Sequence, residues 1–582
     1  MRYHALAADY DGTLATRGKV DDPTWAALAK LKETGRKVIL VTGRELDELL
    51  ALLPDPTVFD RIVAENGALL YDPVTKTEVP VAPGPPAAFV AELQKRGVER
   101  ISVGRVIVAT WEPHQDTVLG VIRDQGLELQ VIFNKGAVMI LPSGVNKATG
   151  LAEALSVLGL SRHNVVAVGD AENDHALLTL AECGVAVSNA LDSLKANADI
   201  VTELDHGRGV TQLVEQLCAD DLAATATRLK RHYIRLGKSG DSEVAIDPYS
   251  ANIMVCGTSG SGKSTLTTGL LERLSTNGYQ FAIIDPEGDY TGLESAVVLG
   301  GPKREPLVPE VTDLLAAGKE NVVANLLGVA VDHRPELFGK LMPALADLRG
   351  RTGRPHWLVV DEAHHLLPAN WEPANQIPFR KHGTLYITVH PGSVAPQIIS
   401  TIDTVIAVGE HPEVTIREFC EAAKLECPYV EPVDKLAPGT VVYWKIGEEP
   451  IVVVTEKPTG ERKRHSRKYS EGNLGPDRSF VFRGPEGKLN LKAHNLHLFL
   501  HMADGVDDET WTFHLANNEY STWFRTEVKD PELADEVHEV EGAGLEPAES
   551  RARIRASIEK RYTLPSDKPS GIIDPLPAVA AS

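Results

Sequence analysis

Two phosphate-handling motifs, each placed directly after an apolar run, decide what this chain can fold into. Near the N-terminus, the run His4–Ala8 precedes Asp9-Tyr10-Asp11-Gly12-Thr13. In the middle of the chain, Ile253–Cys256 precedes Gly257-Thr258-Ser259-Gly260-Ser261-Gly262-Lys263-Ser264. Chemistry of this kind is typical of loops that follow the strands of an α/β sheet. We therefore predict two α/β units, one that removes a phosphoryl group and one that binds a nucleoside triphosphate.

Length and charge narrow the remaining possibilities. A chain of 582 residues is too long for one hydrophobic core and predicts several domains. The net charge of -22 disfavours broad binding to nucleic acid or to an anionic membrane, although it leaves a local basic patch open. We find no apolar run long enough for a membrane span and no signal-peptide pattern, so we expect a cytoplasmic location. The cysteines show no metal-binding spacing and are expected to be free thiols: Cys183, Cys218, Cys256, Cys420 and Cys427.

The N-terminal region, residues 1–218, alternates short apolar strands with amphipathic helices. This alternation predicts a parallel sheet with helices on both faces. A segment at about 83–145 interrupts it with a helix, β-rich stretches and a hairpin turn at Asn134-Lys135-Gly136, and is interpreted as an inserted cap. The predicted strands are His4–Ala8, Lys37–Val41, Arg61–Ala64, Asn164–Val168 and Val185–Val187, and the predicted helices include Pro23–Glu33 and Lys147–Leu158.

The rest of the chain divides by composition. We predict a helical connector at 219–242 (helix Asp220–Arg235), a second α/β domain at 243–456, a basic linker at 457–488, a helical domain at 489–563 and a disordered tail at 564–582. Strands of the second domain are predicted at Ile253–Cys256, Phe281–Ile284, Trp357–Val360, Leu385–Val389 and Thr404–Val408. C-terminal helices are predicted at Leu491–Met502, Glu509–Val528, Pro531–Val540 and Ser550–Tyr562, and their aromatic residues are interpreted as core.

The N-terminal motif carries the residue types that aspartyl-phosphate chemistry needs. A carboxylate can attack phosphorus, and a second carboxyl group can protonate the leaving oxygen; Asp9 and Asp11 supply this pair. Thr42 follows the next strand and can donate to the phosphate, and Lys147 opens a helix and can offset its charge. The segment Gly169-Asp170-Ala171-Glu172-Asn173-Asp174 offers carboxylates for a metal ion. Because the carboxyl ends of parallel strands meet in one crevice, these pieces are predicted to converge.

In this order the pieces resemble the haloacid dehalogenase superfamily, specifically the type IIB (Cof-like) phosphatases, whose cap lies between the second and third motifs. Glu65-Asn66-Gly67-Ala68, Gly184–Ala190 and Ala198–Thr202 add to the likeness, which covers about residues 3–218. The resemblance implies that Asp9 is the nucleophile, Asp11 the general acid and base, and Thr42 and Lys147 the phosphate ligands. It also implies Mg²⁺ held by Asp9, Asp170 and the Asp11 carbonyl, with support from Asn173 and Asp174. The cap is shorter than in many Cof-like relatives and nearer those of phosphoglycolate- and sugar-phosphate-type phosphatases.

The central motif is a complete phosphate-binding loop. Its backbone N–H groups, around Gly257, Gly260 and Gly262, can surround the β-phosphate, with Lys263 bridging the β and γ phosphates and Ser264 binding Mg²⁺. Thr265 follows and is included in the nucleotide site. The expected ligand is ATP with Mg²⁺.

Leu358-Val359-Val360-Asp361-Glu362 supplies the second element of such a site. Asp361 is predicted to hold Mg²⁺ through water, and Glu362 to polarise the attacking water, which favours hydrolysis over phosphoryl transfer to a substrate. His364 and His365 are interpreted as supporting or surface residues. With Asp285-Pro286-Glu287-Gly288-Asp289-Tyr290 and Thr388-Val389-His390-Pro391, the domain resembles HerA/FtsK-type ATPases over about 243–430. It departs from them in lacking the usual sensor glutamine near Thr388, and Arg380 and Arg417 are the candidates for an arginine finger.

The sequence as a whole therefore predicts an α/β multidomain protein: a Rossmann-like haloacid dehalogenase core with an inserted α+β cap, a P-loop NTPase domain and a small helical C-terminal domain. The expected function is Mg²⁺-dependent hydrolysis of a small phosphate monoester by a phosphatase fused to an ATPase module that regulates it or couples it to a partner. Two alternatives stay open: a DNA-processing enzyme that joins an end phosphatase to a translocase or kinase, and an ATP-dependent conformational switch. The oligomeric state, homo-oligomers included, and the physiological substrate stay open as well.

Overall fold

The computed structural model describes residues 1–134, 136–228, 231–249, 251–258, 260–369, 383–458, 479–485, 487–528 and 530–561. Arg380, the basic run at 462–468 and the predicted tail at 564–582 lie outside these residues. The described residues form two compact units. The first comprises Met1–Gly257, Arg273–Gly288 and Ser295–Glu456, and the second comprises Thr258–Glu272, Asp289–Glu294 and the described residues after Glu456. No helix in the described part of the chain has both the length and the hydropathy that crossing a membrane requires.

The N-terminal region of the first unit is built from the predicted alternation of strands and helices. Its strands are β1 (Ala5–Asp9), β2 (Lys37–Val41), β3 (Arg61–Ala64), β4 (Leu69–Asp72), β5 (Thr77–Pro80), β6 (Ser102–Val103), β7 (Val108–Trp111), β8 (Leu129–Asn134), β9 (Ala137–Pro142), β10 (Val165–Gly169), β11 (Cys183–Ala186) and β12 (Ile200–Val201). Its helices are α1 (Asp22–Glu33), α2 (Leu46–Leu52), α3 (Ala87–Lys95), α4 (Gln115–Gln125), α5 (Lys147–Leu158), α6 (His175–Leu180), α7 (Asp192–Asn197) and α8 (His206–Asp220).

The core sheet has the strand order β12-β11-β10-β1-β2-β3-β4-β5. Strands β12 to β3 run parallel, and β4 and β5 are added antiparallel at one edge. Strand β1 is buried along its whole length, as expected for an apolar strand in the centre of a sheet covered on both faces. The residues that follow β1, β2 and β10 therefore emerge at one edge of the sheet, which is the predicted convergence.

The segment predicted as a cap forms its own antiparallel sheet, with the strand order β6-β7-β9-β8. The predicted hairpin is confirmed by the pairing of Asn134 with Ala137, although Lys135 lies outside the described residues. Helices α3 and α4 cover the cap sheet, one helix more than predicted. Their buried side chains, Phe89, Leu93, Val118 and Val121, pack in a separate small core with Val138 and Ile140 of β9.

The second sheet of the first unit belongs to the predicted P-loop domain. Its strands are β13 (Ile234–Ser239), β14 (Ser242–Ile246), β15 (Asn252–Cys256), β16 (Phe281–Asp285), β17 (Ala296–Gly300), β18 (Asn321–Asn325), β19 (Trp357–Val360), β20 (Thr384–Thr388), β21 (Thr404–Val408), β22 (Thr440–Lys445) and β23 (Ile451–Thr455). The helices are α9 (Lys263–Thr276), α10 (Val308–Ala316), α11 (Arg334–Thr352), α12 (Ala363–Leu366), α13 (Pro396–Ile399) and α14 (Pro412–Ala423). The order is β14-β13-β23-β22-β21-β15-β20-β19-β16-β18-β17, parallel from β21 to β17.

The predicted helical connector at 219–242 is wrong over its second half. Helix α8 ends at Asp220 and a 3₁₀ helix covers Ala223–Arg228, but the chain then enters β13, which pairs antiparallel with β14 and β23. Ile234 and Leu236 are buried at a spacing of two, which is the period of a strand. The charged residues around them suggested a solvated helix, but Arg231 is used in the packing, since its guanidinium donates to the Ala181 carbonyl and pairs with Asp199.

The two sheets of the first unit meet at the amino ends of their strands. The ring of His163, just before β10, stacks on Tyr279, just before β16, with the centroids 3.7 Å apart. Tyr249, before β15, donates its hydroxyl to the His163 carbonyl (3.2 Å), and Arg354, before β19, donates to the Gly159 carbonyl (2.5 Å). Because both sheets present their amino ends to this junction, their carboxyl edges face away from each other.

The C-terminal region belongs to the second unit and is mainly helical. It contains β24 (Phe480–Phe482), β25 (Leu491–Ala493), α15 (Leu496–Gly505), α16 (Asp508–Ala516), α17 (Glu519–Thr526), α18 (Pro531–Gly542) and α19 (Pro547–Arg561). The prediction that its aromatics form a core is confirmed, because Trp511, Tyr520 and Phe524 are buried together. Two helix boundaries were wrong. Leu491 pairs with Phe482 in a strand, and Glu509–Val528 is broken at Asn518, whose φ of 53° leaves the helical region.

Candidate active site

The carboxyl edge of the core sheet brings together the residues that the sequence singled out. Asp9 is the last residue of β1, Thr42 follows β2, and Asp170 follows β10. Lys147 is the first residue of α5, and the start of that helix is fixed by Asn146, whose side chain accepts from the backbone N–H groups of Ala148 and Thr149. The N-terminus of α5 therefore lies at the site and adds the positive end of its dipole, which favours a phosphate there.

Lys147 is the centre of a buried ion cluster. Its ammonium nitrogen lies 2.6 Å from Oδ1 of Asp9 and 2.6 Å from Oδ1 of Asp174. The other oxygen of Asp174 accepts from the backbone N–H groups of Asp170 and Ala171, both at 3.0 Å. Asp174 thus positions the ammonium with one oxygen and the loop that carries Asp170 with the other.

The excess of carboxylates over ammonium groups in this cluster favours the binding of a divalent cation. Asp9, Asp170 and Asp174 are buried and offer carboxylate oxygens that lie within 4.8 Å of one another. The pKa of Asp9 is raised to about 7, mainly by burial; Lys147 opposes the rise, and the charges of Asp174 and Asp170 add to it. One ammonium cannot offset three carboxylates, and oxygen donors of this kind are those that Mg²⁺ prefers. The residues therefore fit the metal that the fold family implies.

The loop that follows β1 packs closely against Asp170. Gly12 has a φ of +91°, and a Cβ at this position would lie 2.3 Å from Oδ2 of Asp170, so only glycine fits. The Gly12 carbonyl accepts from the side-chain amide of Asn189 (2.8 Å), and Thr13 donates its hydroxyl to Oδ1 of Asp170 (3.3 Å). The loop after β1 is thereby held directly against the loop after β10.

Mg²⁺ is expected to stabilise the N-terminal region of the first unit in the absence of nucleotide. At a hundredfold excess over its Kd the ion should contribute about 2.7 kcal/mol, since it binds the folded site and not the unfolded chain. Differential scanning calorimetry with Mg²⁺ and with EDTA measures this as a rise of the unfolding midpoint. We expect Asp170→Asn to lose the rise, whereas the exposed Asp192→Asn keeps it. An undiminished rise in Asp170→Asn would contradict the assignment.

Asp11 is engaged by an arginine to which sequence reasoning gave no role. The Arg44 guanidinium binds both oxygens of Asp11, at 2.5 and 2.8 Å, and also pairs with Glu48. Thr42 is buried beside them, and its hydroxyl accepts from the Arg44 backbone N–H (3.2 Å). Arg44 lies two residues after Thr42, but nothing in the sequence indicates that it reaches back to the first motif.

A cavity of about 460 Å³ lies between the cap and this edge of the sheet. Asp9, Asp11, Thr42, Arg44 and Asn173 line it from the core, and Arg100, Ser102, Thr110, Trp111, Asn134 and Met139 line it from the cap. Its size suits a small molecule.

The buried carboxylate of Glu65 fastens the cap to the core. It accepts from three successive backbone N–H groups of the cap segment, those of Arg105 (2.9 Å), Val106 (2.7 Å) and Ile107 (2.9 Å). Glu65 itself has a φ of 52°, a conformation that is costly for a residue with a side chain. Sequence reasoning noted the Glu65 motif only as a family likeness. Nothing in the sequence near Glu65 indicates that its carboxylate binds the cap.

Arg100 is the arginine that the cap contributes to the lining of the cavity. It lies in the wall with a φ of 52° and has no ion pair with any described residue. The neighbouring Arg105, in contrast, is paired with Asp47 and Glu78. Arg100 is exposed, so its guanidinium can meet an incoming anion without first breaking a buried contact.

The loop that the sequence predicts to bind phosphate lies mostly in the second unit, and its glycines have the backbone conformation that such a loop needs. Gly257, Gly260 and Gly262 all have positive φ values, of 150°, 75° and 102°. Helix α9 begins at Lys263, whose side-chain nitrogen donates to the Thr258 carbonyl at 3.0 Å. Ser264 and Thr265 occupy the first turn of this helix, where backbone N–H groups favour an anion.

In the first unit, Asp361 and Glu362 directly follow β19, as the motif predicts. Asp361 is buried, and Glu362 is in the left-handed region with a φ of 42°. Nδ1 of His364 lies 3.4 Å from Oε2 of Glu362 and 3.2 Å from the hydroxyl of Thr388 at the end of β20. His364 therefore lies between the Glu362 carboxylate and the neighbouring strand. Arg417, a candidate arginine finger, lies in α14.

Comparisons with known proteins agree with this architecture. The sequence model of the haloacid dehalogenase-like hydrolases matches residues 6–82 and 119–214, and that of the central domain of the helicase HerA matches 234–332. A phosphoglycolate phosphatase of Saccharolobus solfataricus is 30% identical over 36% of this chain and 91% of its own length. One from Methanothermobacter thermautotrophicus is 32% identical over 36% of this chain and 97% of its own length.

Among solved structures, a haloacid dehalogenase-like hydrolase from Bacteroides thetaiotaomicron is 20% identical, with a TM-score of 0.33, over 37% of this chain and 99% of that one. The relatives of known sequence are matched along nearly their whole length, although they account for only the N-terminal third of this chain. The chain belongs to the haloacid dehalogenase-like hydrolases and carries a HerA-like domain after the hydrolase region.

Proposed function

We propose that this protein is a Mg²⁺-dependent phosphatase of small phosphate monoesters whose activity is regulated by ATP at the HerA-like domain. The observation that carries the proposal is the buried cluster in which Lys147 contacts Asp9 and Asp174 at the cavity between core and cap. A buried nucleophilic carboxylate beside an ammonium and a helix N-terminus is suited to an incoming phosphate dianion.

Each residue has one task in the proposed reaction. Asp9 attacks phosphorus and the bond to the ester oxygen breaks. Asp11, once it has left its pairing with Arg44 and taken up a proton, gives that proton to the leaving oxygen. Asp11 then takes a proton from water, which attacks the aspartyl phosphate and releases inorganic phosphate and free Asp9. Thr42 and Lys147 would hold the phosphoryl oxygens throughout. Mg²⁺, held by Asp9, Asp170 and the Asp11 carbonyl, would neutralise charge on the phosphoryl group.

The substrate we propose is a small phosphate ester with an anionic leaving group, of the phosphoglycolate type, with sugar phosphates as the next class to test. The relatives named above are phosphoglycolate phosphatases, which supports this choice. The cavity volume of about 460 Å³ and the position of Arg100 in its wall support it too. A guanidinium is the side chain best matched to a carboxylate, because it can donate two parallel hydrogen bonds.

Replacing Arg100 by alanine should weaken binding of the anionic substrate selectively. We expect KM for 2-phosphoglycolate to rise roughly tenfold or more, because the loss of one charge-assisted hydrogen bond weakens binding by about this factor. KM for ethyl phosphate, which has the same two-carbon length without the carboxylate, should change little. Steady-state phosphate release measures both. The exposed cap residue Arg123, which does not line the cavity, is the matched control, and equal effects on the two esters would refute the assignment.

The nucleotide site is proposed to act through helix α9. Gly257, Gly260, Gly262, Lys263, Ser264 and Thr265 would bind ATP and Mg²⁺, with Asp361 supporting the ion and Glu362 polarising water. Asn277 directly follows α9, and its carbonyl accepts from the Arg162 guanidinium (2.5 Å) and lies 2.8 Å from Nε2 of His163. Arg162 and His163 of the phosphatase region thus contact the chain at the C-terminal end of α9, the helix whose N-terminus belongs to the phosphate-binding loop. Since the carboxyl edges of the two sheets face away from each other, regulation is favoured over a shared substrate.

ATP should change the rate of phosphate release from 2-phosphoglycolate, and Lys263→Ala should abolish this response, because it removes the ammonium that bridges the β and γ phosphates. The measurement is Mg²⁺-dependent phosphate release with ATP, with a non-hydrolysable ATP analogue and without nucleotide. If the analogue acts like ATP, binding alone regulates the enzyme.

Arg162→Ala tests the route of this regulation, with the exposed Arg208→Ala as its control. Loss of the ATP response in Arg162→Ala alone supports the junction as the route. A rate that ATP does not alter in the wild type would refute regulation. The likeness to the central domain of HerA is the reason to test the DNA-processing alternative as well. That alternative would be favoured if double-stranded DNA stimulated ATP hydrolysis and if salt weakened this stimulation.

A further inference from the structure

A second group of metal-binding side chains converges at the junction of the two sheets, away from the active site. Among the residues that the structure describes, the ligating atoms of His163, Glu182 and His232 lie within 4.8 Å of one another, as those of the Asp9 cluster do. His163 precedes β10, Glu182 precedes β11 and His232 precedes β13. The group therefore lies at the amino ends of core-sheet strands, at the edge opposite to Asp9, and the proposed phosphatase reaction makes no use of it.

The ring of His163 faces an acceptor on each side. Nδ1 lies 2.8 Å from Oε2 of Glu182, and Nε2 lies 2.8 Å from the carbonyl oxygen of Asn277. The guanidinium Nε of Arg162 is farther from Nε2, at 3.4 Å, so the proton of a neutral ring belongs on Nε2, where it is donated to the carbonyl. The lone pair of Nδ1 then points at the Glu182 carboxylate. This arrangement needs a cation between ring and carboxylate, either a second proton or a metal ion.

His232 brings a second ring nitrogen to the same carboxylate oxygen. Its Nε2 lies 3.8 Å from Oε2 of Glu182 and 3.3 Å from the carbonyl oxygen of Ala181. Burial lowers the pKa of His232, so its ring is neutral near pH 7, which is the form that binds metals. The side chain is 18% exposed, so an ion can reach the group from solvent on this side. A proton serves one nitrogen–oxygen pair, whereas two nitrogens that approach one oxygen from separate segments suit a metal ion.

The donor set and its surroundings fit zinc. Two imidazoles and one carboxylate are a known set of zinc ligands, and bonds of about 2.0–2.1 Å put tetrahedral ligand atoms about 3.3 Å apart. The contacts of 2.8 and 3.8 Å to Oε2 of Glu182 differ from this spacing by about half an ångström, which small side-chain rotations can supply. Metal ligands usually have outer hydrogen bonds. Here His163 donates to the Asn277 carbonyl, and Oε1 of Glu182 accepts from the Arg2 guanidinium at 2.7 Å.

We propose that Nδ1 of His163, Oε2 of Glu182 and Nε2 of His232 bind a divalent transition metal ion, Zn²⁺ above all, with water in the fourth position. The ion would join the segments that precede β10, β11 and β13. Through His163 it would also contact the Asn277 carbonyl, which follows α9. The site is thus a structural link between the phosphatase region and the HerA-like domain, separate from the Mg²⁺ site, because nitrogen donors suit zinc and not magnesium.

Zn²⁺ binding by the full chain tests the proposal, after bound metal is removed with a chelator and with Mg²⁺ in excess to fill oxygen sites. Competition with a chromophoric chelator measures the affinity. We expect His232→Gln to raise Kd at least about a hundredfold, because even the loss of an outer partner of a ligand costs about ten- to a hundredfold. The control is His497→Gln on α15, where Nε2 of His497 lies 3.1 Å from Nε2 of His501 and could form a competing pair. An affinity that His232→Gln leaves unchanged, or that only His497→Gln lowers, overturns the proposal and leaves a proton between His163 and Glu182.

Co²⁺ in place of Zn²⁺ gives a spectroscopic signature that a folding defect cannot imitate. Tetrahedral Co²⁺ absorbs visible light much more strongly than octahedral Co²⁺ in an oxygen site. We expect the wild type to show the tetrahedral bands and His232→Gln to lose them, with the unfolding midpoint of the metal-free protein unchanged. His232→Cys offers a thiolate at the same position and should add a sulfur-to-metal charge-transfer band in the near ultraviolet. A wild-type spectrum in both variants would place the ion elsewhere, and no tetrahedral bands in the wild type would exclude the site; either result overturns the proposal.

Discussion

Asp9→Asn is expected to lower kcat for phosphate release by at least about 10⁴-fold, because an amide oxygen cannot take the place of the attacking carboxylate and removal of a covalent nucleophile has effects of this order. Asp9 is the last residue of β1, and its Oδ1 is held 2.6 Å from the Lys147 ammonium. The substitution keeps the shape of the side chain, so the loss should appear in kcat with little change in the fold. Phosphate release from 2-phosphoglycolate, followed for many hours of turnover, measures it.

The control for this variant is Asp22→Asn, an exposed carboxylate in the first turn of α1. It should retain full activity, and both variants should retain the circular dichroism of the wild type. Activity in Asp9→Asn within tenfold of the wild type would show that the nucleophile lies elsewhere. Loss of activity in Asp22→Asn would point to a general effect of the substitution.

The residues of the candidate site could be predicted because they follow strands. A parallel sheet brings the carboxyl ends of its strands to one edge, so Asp9, Thr42 and Asp170 meet even though the chain separates them widely. Helix α5 places Lys147 because its N-cap, Asn146, is a local signal. These placements depend on short-range patterns, namely the ends of apolar strands and a helix N-cap, which can be recognised in a sequence.

The contacts that sequence reasoning missed are all long-range and depend on how separate elements pack. No local pattern in the sequence indicates that Arg44 pairs with Asp11, that Glu65 binds the cap or that Arg100 lies in the cavity wall. The same holds for the junction, where the His163 and Tyr279 rings stack. The connector prediction was wrong because Ile234 and Leu236 lie in a strand, β13, which pairs with the neighbouring β14 and, far along the chain, with β23.

Lys147→Met is expected to destabilise the phosphatase region by about 3–5 kcal/mol when Mg²⁺ is absent, because it leaves buried carboxylates without their ammonium. The side chains concerned are almost wholly buried, with 2% of Lys147, 6% of Asp9 and none of Asp174 exposed. A chain of several domains does not unfold in one step, so the measurement is hydrogen exchange at the amides of β1 and β10 in EDTA. The exposed Lys30→Met should leave these opening free energies unchanged.

A second substitution separates charge from packing in this cluster. Asp174→Asn, added to Lys147→Met, removes one of the carboxylates that lost its partner, so the double variant should regain at least about 1 kcal/mol relative to Lys147→Met alone. Asp174→Asn by itself should be destabilising, because Oδ2 of the wild-type carboxylate accepts from Asp170 and Ala171 and Oδ1 holds the ammonium. Mg²⁺ should restore part of the stability of Lys147→Met, since a dication can offset the carboxylates that remain. Purely additive losses in the double variant would mean that Lys147 stabilises the fold by packing and not by its charge.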